Sequence, residues 1–223
     1  MSIERRSVNT ARQILPYLFR AADVSGRDAP LVVFLHGAKD RGTDLGQLLA
    51  WGFPKIVAEA DSLPYHFLAL QIPAEATWPD WRDELFSLID SVSAKHNVDS
   101  SRVVLSGFSL GSAGTWLLGS AHAERFAGLV IVSGRVPEGI DDARLDKLRH
   151  TPLWVFHGER DDKAPLIDAQ HAVNALRAKG SSVLFTVVPE GDHFIAEAAY
   201  GDPALQRWLA NIPAVRRPQA AAA

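Results

Sequence analysis

The sequence predicts an α/β domain in which a mostly parallel sheet is covered by helices on both faces. Short apolar runs, several of them rich in β-branched residues, alternate along the chain with segments of helical periodicity. Continuous apolar runs, without in–out alternation, are typical of strands buried on both faces. The 223 residues contain no Pro/Gly/Ser-rich linker, so we expect a single domain over residues 1–215 and a disordered tail at 216–223.

The strands of this sheet are predicted from the apolar runs. Leu31–Leu35 is wholly apolar and stops at Gly37. An earlier strand is predicted at Gln13–Arg20, although Pro16 interrupts that run. The buried strands are Leu31–Leu35, Phe67–Ile72, Val103–Leu105, Leu129–Val132, Leu153–Phe156 and Val183–Val188.

Helical segments separate these strands. The segment Leu166–Lys179 ends at Gly180, and glycine is typical of the position just after a helix. Because parallel sheets bind ligands at the carboxyl ends of their strands, the residues that follow each strand are candidates for the site. The predicted helices are Leu45–Trp51, Asp83–Lys95, Leu110–Gly119, Leu166–Lys179 and Pro203–Leu209.

Composition argues against several classes of protein. A formal charge of −3 and a pI near 6.2 do not fit a nucleic-acid partner, since phosphate binding requires a concentrated basic surface. The absence of cysteine excludes disulfides, cysteine nucleophiles and thiolate metal sites. No stretch approaches the roughly 20 apolar residues of a membrane span, and the charges in Met1–Arg12 do not fit a signal peptide. We therefore expect a cytoplasmic protein without a membrane span.

The segment Gly107-Phe108-Ser109-Leu110-Gly111 lies between a predicted strand and a predicted helix. This is the setting of the G-x-S-x-G nucleophile motif, whose strained turn leaves no room for side chains at the two glycines. A dinucleotide-binding turn would need G-x-G-x-x-G, and its middle glycine is Ser109 here. A phosphate-binding Gly-Lys-Ser/Thr sequence is also absent. We predict that Ser109 is a nucleophile and that no cofactor is used.

A serine hydroxyl needs a histidine base, and that histidine needs a carboxylate to orient it. His193 follows the last predicted strand, a placement that suits a base reaching back over the sheet. The acid should follow the preceding strand, where Asp161 and Asp162 both qualify on position. Glu159, Asp161 and Asp162 could instead form a metal site or a solvated loop, but carboxylate spacing alone is weak evidence for a metal. We therefore predict no metal site.

An oxyanion hole requires two backbone N–H donors, one of them from the residue after the nucleophile. Leu110 supplies that donor, and Ala38, after the strand Leu31–Leu35, is the expected second donor. Aromatic residues that follow two early strands are candidates to line an acyl or aryl pocket. These candidates are Phe53, Trp78 and Trp81, although Trp81 is equally consistent with a core position.

Four motifs occur in the order seen in one known family. They are Phe34-Leu35-His36-Gly37, Gly107-Phe108-Ser109-Leu110-Gly111, Phe156-His157-Gly158 with Asp161 and Pro165, and Gly191-Asp192-His193. Over about residues 30–210 the chain resembles the small carboxylesterase/phospholipase branch of the α/β-hydrolases, which includes acyl-protein thioesterases and peptidase-like esterases. The resemblance implies the α/β-hydrolase fold and a Ser-His-Asp triad that cleaves carboxylic esters or thioesters. It also favours Asp161 over Asp162, and no segment is long enough for a large cap domain.

Two features qualify the resemblance. Lys39 stands where relatives often have a glycine or small residue, and Asp40 and Arg41 follow it; a cationic rim here could favour anionic substrates, but a solvated loop is the simpler explanation. Dienelactone hydrolases share the fold but use a cysteine nucleophile, so their chemistry is excluded here. A serine peptidase on the same fold and a non-catalytic binding protein stay as alternatives. The expected partner is a small-molecule ester, and a homodimer is an open option.

Overall fold

The computed structural model of the chain describes residues 1–23, 29–96 and 98–215. The tail predicted at residues 216–223 lies outside this described part. One sheet of eight strands runs through the described residues. Its strands are β1 (Glu4–Asn9), β2 (Ile14–Arg20), β3 (Leu31–Leu35), β4 (His66–Leu70), β5 (Val103–Phe108), β6 (Gly128–Val132), β7 (Leu153–Gly158) and β8 (Leu184–Val188).

The strand order across the sheet is β1-β2-β4-β3-β5-β6-β7-β8. Strands β3 to β8 are parallel to one another, whereas β2 is antiparallel to both β1 and β4. The predicted mostly parallel sheet is therefore confirmed. Each of the six predicted buried strands is present with small shifts at its ends, the largest in β5, which continues from Leu105 to Phe108.

The helices cover both faces of this sheet, as two separate core clusters show. Along β3, Leu31, Val33 and Leu35 belong to one cluster, and Val32 and Phe34 belong to the other. The helices are α1 (Leu45–Leu49), α2 (Gly52–Glu59), α3 (Arg82–His96), α4 (Leu110–Ala121), α5 (Asp142–Leu148), α6 (Leu166–Ala178), α7 (Ala196–Tyr200) and α8 (Pro203–Ala210). Short 3₁₀ helices occupy Ala38–Asp40, Trp78–Trp81 and Ala123–Arg125.

The structure differs from the predicted elements at the start of the chain and at several short helices. The segment predicted as one helix, Leu45–Trp51, is α1 followed by a break at extended Trp51, after which Gly52 with φ +65° begins α2. Strand β1 was not predicted because its residues are mostly charged or polar, as expected for an exposed edge strand. Helices α2, α5 and α7 lie outside every predicted helix and were missed.

Two further expectations are met by the observed backbone. Pro16 pairs with Ser7 of β1, and the pairing of β2 with β4 begins only at Tyr17, so the proline interrupts little of the sheet. Gly180 follows α6 with φ +84°, and its N–H donates to the Arg177 carbonyl at 2.9 Å, which ends the helix as predicted.

The connections between strands contain no large inserted domain in the described residues. The link from β6 to β7, at residues 133–152, holds only α5 as a regular element. Strands β5, β7 and β8 are each followed by a loop of at most seven residues before the next helix begins. Within the residues that the structure describes, no helix is long and apolar enough to cross a bilayer.

Candidate active site

Ser109 lies on a strained turn between β5 and α4. Its backbone has φ 54° and ψ −113°, a conformation that non-glycine residues rarely adopt. A Cβ atom at Gly107 would lie 2.1 Å from the Gly111 carbonyl oxygen, and one at Gly111 would lie 1.8 Å from the Leu35 carbonyl oxygen. The two glycines are therefore required by close backbone contacts, which is the physical basis of the motif.

The structure brings Ser109, His193 and Asp161 together in a line of hydrogen bonds. Ser109 Oγ lies 2.9 Å from His193 Nε2, and His193 Nδ1 lies 2.8 Å from Asp161 Oδ2. His193 comes from the loop after β8 and is buried, as is Asp161 from the loop after β7. In this arrangement Nδ1–H donates to Asp161, which leaves Nε2 able to accept the serine proton.

The two carboxylates that position alone could not separate have different surroundings. Asp161 Oδ1 accepts hydrogen bonds from the backbone N–H groups of Lys163 at 2.9 Å and Ala164 at 2.8 Å, which turns its side chain inward. Asp162 is exposed, with its carboxylate 3.5 Å from Lys163 Nζ. Glu159 accepts from the Glu190 N–H instead. Among the described residues, no group of three or more His, Cys, Asp or Glu side chains could hold a metal ion.

The backbone N–H groups of Leu110 and Ala38 begin helices. Leu110 is the first residue of α4, and Ala38 is the first residue of the 3₁₀ helix Ala38–Asp40. The N–H of a first helical residue has no acceptor within its own helix, so both groups are available to another partner. Ala38 lines a cavity together with Ser109, and Leu110 lines a second recess with the same serine.

His36 fixes the peptide that carries the Ala38 N–H. Its Nδ1–H donates to the Gly37 carbonyl at 2.8 Å, while its Nε2 accepts from the Ile72 N–H at 3.1 Å. Because C=O and N–H of a trans peptide point in opposite directions, this bond points the Ala38 N–H away from His36. Burial lowers the pKa of His36 to about 4, which keeps the ring neutral and able to make both bonds. The sequence motif contained His36 but gave no sign of this positioning role.

An apolar cavity of about 170 Å³ adjoins Ser109 and His193. Its aromatic wall consists of Trp51, Phe108 and Phe194, with Lys39 at the edge; we call it the aromatic cavity. Trp51 packs edge-on against Phe108 with ring centroids 4.9 Å apart, and its Nε1–H donates to Asp40 Oδ1 at 3.0 Å. Burial raises the pKa of Asp40, although the Trp51 hydrogen bond partly opposes that shift.

The three aromatic residues expected in the substrate pocket lie elsewhere, which corrects that prediction. Phe53 is in α2, fully buried and stacked on Tyr200 at 4.2 Å between ring centroids. Trp78 is also fully buried, packed beside Gly114 and donating from Nε1 to the His36 carbonyl. Trp81 is buried under the Arg12 guanidinium, which lies 3.8 Å from its ring centroid. None of the three is among the described residues that line the aromatic cavity.

The two basic residues after His36 have different surroundings: Arg41 bonds the loop, and Lys39 lines the aromatic cavity. Arg41 donates from Nε to the Ala38 carbonyl at 3.0 Å and from Nη1 to the Ala76 carbonyl at 3.1 Å, so it stabilises the loop. Lys39 lines the aromatic cavity, with Nζ 5.1 Å from the centroid of the Phe194 ring. The sequence missed Trp51 and Phe194 because position after a strand does not tell which side chain turns toward the serine.

A comparison with models of protein families identifies the family of this chain. Residues 70–202, more than half of the chain, match the model described as phospholipase/carboxylesterase. The chain belongs to the phospholipase/carboxylesterase family. Its eight-stranded, mostly parallel sheet is that of the α/β-hydrolase fold. No curated protein sequence matches the chain.

Solved structures resemble this phospholipase/carboxylesterase family member over most of its length. A thermostable esterase is 24% identical with a TM-score of 0.76; the match covers 93% of this chain and 62% of that one. A ferulic acid esterase from Anaeromyces mucronatus is 13% identical with a TM-score of 0.71, covering 95% and 90%. The acylaminoacyl peptidase of Pyrococcus horikoshii is 13% identical with a TM-score of 0.69, covering 99% and 43%. At these identities the likeness establishes the fold alone.

Proposed function

We propose that the protein is a serine carboxylesterase in which Ser109, His193 and Asp161 form the catalytic triad. The observation that carries this proposal is the continuous pair of hydrogen bonds, 2.9 Å and 2.8 Å, from Ser109 Oγ through the His193 ring to Asp161. The strained backbone of Ser109 supports the same role, because the turn lifts Oγ above the end of the sheet.

In the first half of the reaction, Ser109 Oγ attacks the ester carbonyl carbon while its proton passes to His193 Nε2. The negative charge moves to the carbonyl oxygen, where the N–H groups of Ala38 and Leu110 would stabilise it. The tetrahedral intermediate collapses as His193 returns the proton to the departing alcohol oxygen. The products of this half are the free alcohol and an acyl group bonded to Ser109.

In the second half, water replaces the alcohol. His193 removes a proton from the water, the hydroxide attacks the acyl carbon, and the same two N–H groups stabilise the oxyanion. Collapse releases the carboxylic acid as the proton returns to Ser109 Oγ. Asp161 orients the ring and stabilises its protonated form in both halves; its backbone hydrogen bonds from Lys163 and Ala164 hold it in place.

The test is hydrolysis of p-nitrophenyl esters with acyl chains from C2 to C12 by the wild-type protein and by Ser109→Ala. We expect the wild type to turn over and the variant to lose at least about 1,000-fold in kcat, because the covalent route is removed. Ser112→Ala is not a suitable control, since Ser112 Oγ donates to the carbonyl of Gly107 in the turn Gly107–Gly111, which we call the elbow. Ser87→Ala, on the exposed side of α3, is the matched control and should keep full activity.

Other outcomes would favour the remaining functions. Faster cleavage of peptides than of comparable esters would favour a serine peptidase. Faster cleavage of S-acyl than of O-acyl substrates with the same acyl chain would favour a thioesterase. No turnover, together with a failure of a fluorophosphonate probe to label Ser109, would overturn the proposal and favour a binding protein.

A further inference from the structure

A second recess of about 310 Å³ opens on the other side of Ser109. It shares Ser109, His193 and Lys163 with the aromatic cavity and adds Leu110, Ala113, Ser133, Arg135 and Ala164. We call it the cationic recess. The candidate nucleophile therefore adjoins two spaces, one with an aromatic wall and one that has an arginine in its lining.

The charged side chains of the cationic recess are both positive. Arg135 and Lys163 are exposed, and no Asp or Glu is among the described residues that line the recess; the Asp161 carboxylate is buried and bonded to His193. Lys163 Nζ lies 3.5 Å from the Asp162 carboxylate in an exposed pair that solvent screens strongly. The recess thus presents a net positive charge to a ligand.

The Arg135 guanidinium is oriented by the loop that carries Asp161. Its Nε–H donates to the Lys163 backbone carbonyl at 2.8 Å, which joins the loop after β6 to the loop after β7. This bond uses one of the five N–H donors of the guanidinium, whose planar fork matches the two oxygens of a carboxylate. Lys39 and Arg41 are less suited to bind such a carboxylate, since Lys39 lies over the Phe194 ring and Arg41 donates to two backbone carbonyls.

Ser133 gives a second, independent indication at the floor of this recess. It is fully buried, and its hydroxyl has no hydrogen-bond partner in the part of the chain that the structure describes. Its backbone has φ 49°, a left-handed conformation that costs energy for a residue with a side chain. The unpaired hydroxyl and the left-handed backbone make Ser133 a strained position beside the candidate nucleophile, which is the kind of position often found next to a bound ligand.

We propose that the cationic recess binds a carboxylate on the ester substrate, with Arg135 as the main specificity-determining residue and Lys163 beside it. The substrate class is then an ester with one apolar arm, received by the aromatic cavity, and one arm that carries a carboxylate. This inference rests on the proposed function, because it concerns the same Ser109 and His193. It goes beyond that function in naming the charge and the polarity of the two arms.

The test compares two matched pairs of esters. Phenyl butyrate and 3-carboxyphenyl butyrate differ by a carboxylate on the alcohol arm, and phenyl hexanoate and monophenyl adipate differ by one at the end of the acyl arm. For each pair the readout is the ratio of kcat/KM for the anionic ester to kcat/KM for the neutral ester, so differences in intrinsic reactivity cancel between protein variants. The pair that responds identifies the arm that enters the recess.

We expect Arg135→Gln to lower this ratio at least about tenfold in one pair, and Arg135→Glu to lower it further, since the variant carboxylate repels the substrate. Arg177→Gln, at the exposed end of α6, changes the net charge equally and should leave the ratio unchanged. Equal ratios for wild type and Arg135→Glu in both pairs would overturn the inference while esterase activity stands. If the wild type hydrolyses no ester and the fluorophosphonate probe leaves Ser109 unlabelled, the proposed function and this inference both fail.

Discussion

His36 acts at the scale of a single residue by remaining uncharged. It contacts the backbone of its own loop and of Ile72, so a proton on the ring would remove the Nε2 acceptor and place a charge in the core. Burial is the main cause of its low pKa, and the Coulomb repulsion from Arg41 acts in the same direction. The same ring therefore links the geometry of the Ala38 N–H to the acid stability of the fold.

We predict that the free energy of unfolding declines as the pH falls from 6.5 to about 4. The folded protein keeps His36 neutral down to about pH 4, whereas the unfolded chain binds a proton near the ordinary pKa of 6.5, so acid favours unfolding. The contribution is complete above pH 6.5 and its loss reaches about 3 kcal/mol at the acid end. Urea titrations at several pH values measure it.

Other groups add to or oppose this dependence. Burial also lowers the pKa of the buried His66 and of the partly buried His96 and His122, which act in the same direction. The raised pKa of Asp40 acts in the opposite direction. His36→Gln isolates the main group: its stability should depend less steeply on pH than that of the wild type. Equal slopes in the two proteins would show that His36 is not the source.

At the scale of elements, the turn from β5 to α4 tolerates no side chain at Gly111. A Cβ there would meet the Leu35 and His36 carbonyl oxygens at 1.8 and 3.0 Å, and both belong to a neighbouring strand end that cannot move independently. We predict that Gly111→Ala lowers the free energy of unfolding by about 3 kcal/mol or more. Gly139→Ala is the control, because its nearest neighbour is the Leu117 side chain at 3.5 Å; its effect should stay within about 0.5 kcal/mol.

The elements that the sequence predicted are those whose burial leaves a pattern in the residues. Strands β3 to β8 were found because their apolar runs are continuous, and the helices α3, α4 and α6 because they are long. Strand β1 and helices α2, α5 and α7 are short or exposed, so periodicity could not separate them from loops.

The residues of the candidate site also differ in how far the sequence could predict them. The residues Ser109 and His193 could be named because each follows a strand within a motif. The inward turn of Asp161, and the way Trp51 rather than Phe53 faces the cavity, depend on local hydrogen bonds and on the break at Gly52. Such contacts leave no periodic signal in a sequence.

At the scale of the whole molecule, no large inserted domain covers the candidate site in the described residues, so we expect cavity size to limit the substrates. The aromatic cavity, at about 170 Å³, is smaller than the roughly 300–1,000 Å³ of pockets that enclose drug-sized ligands. We predict a preference for short acyl chains, of about six carbons or fewer, over C12 when this cavity receives the acyl arm. Trp51→Ala should move the optimum to longer chains, measured as kcat/KM against chain length, and Trp154→Ala, distant in β7, should not. An unchanged optimum in Trp51→Ala would contradict this role of the cavity.

The close backbone contacts of the elbow have a consequence for anyone who wishes to redesign the protein. Gly107 and Gly111 are fixed by contacts with main-chain atoms, so randomising these two positions would yield mostly unfolded variants, and replacing Ser109 would remove the proposed nucleophile. The walls on either side are built from side chains of surface loops, whose replacement leaves the main chain intact. A mutant library aimed at new selectivity should therefore vary Trp51, Phe194 and Arg135 and leave the elbow untouched.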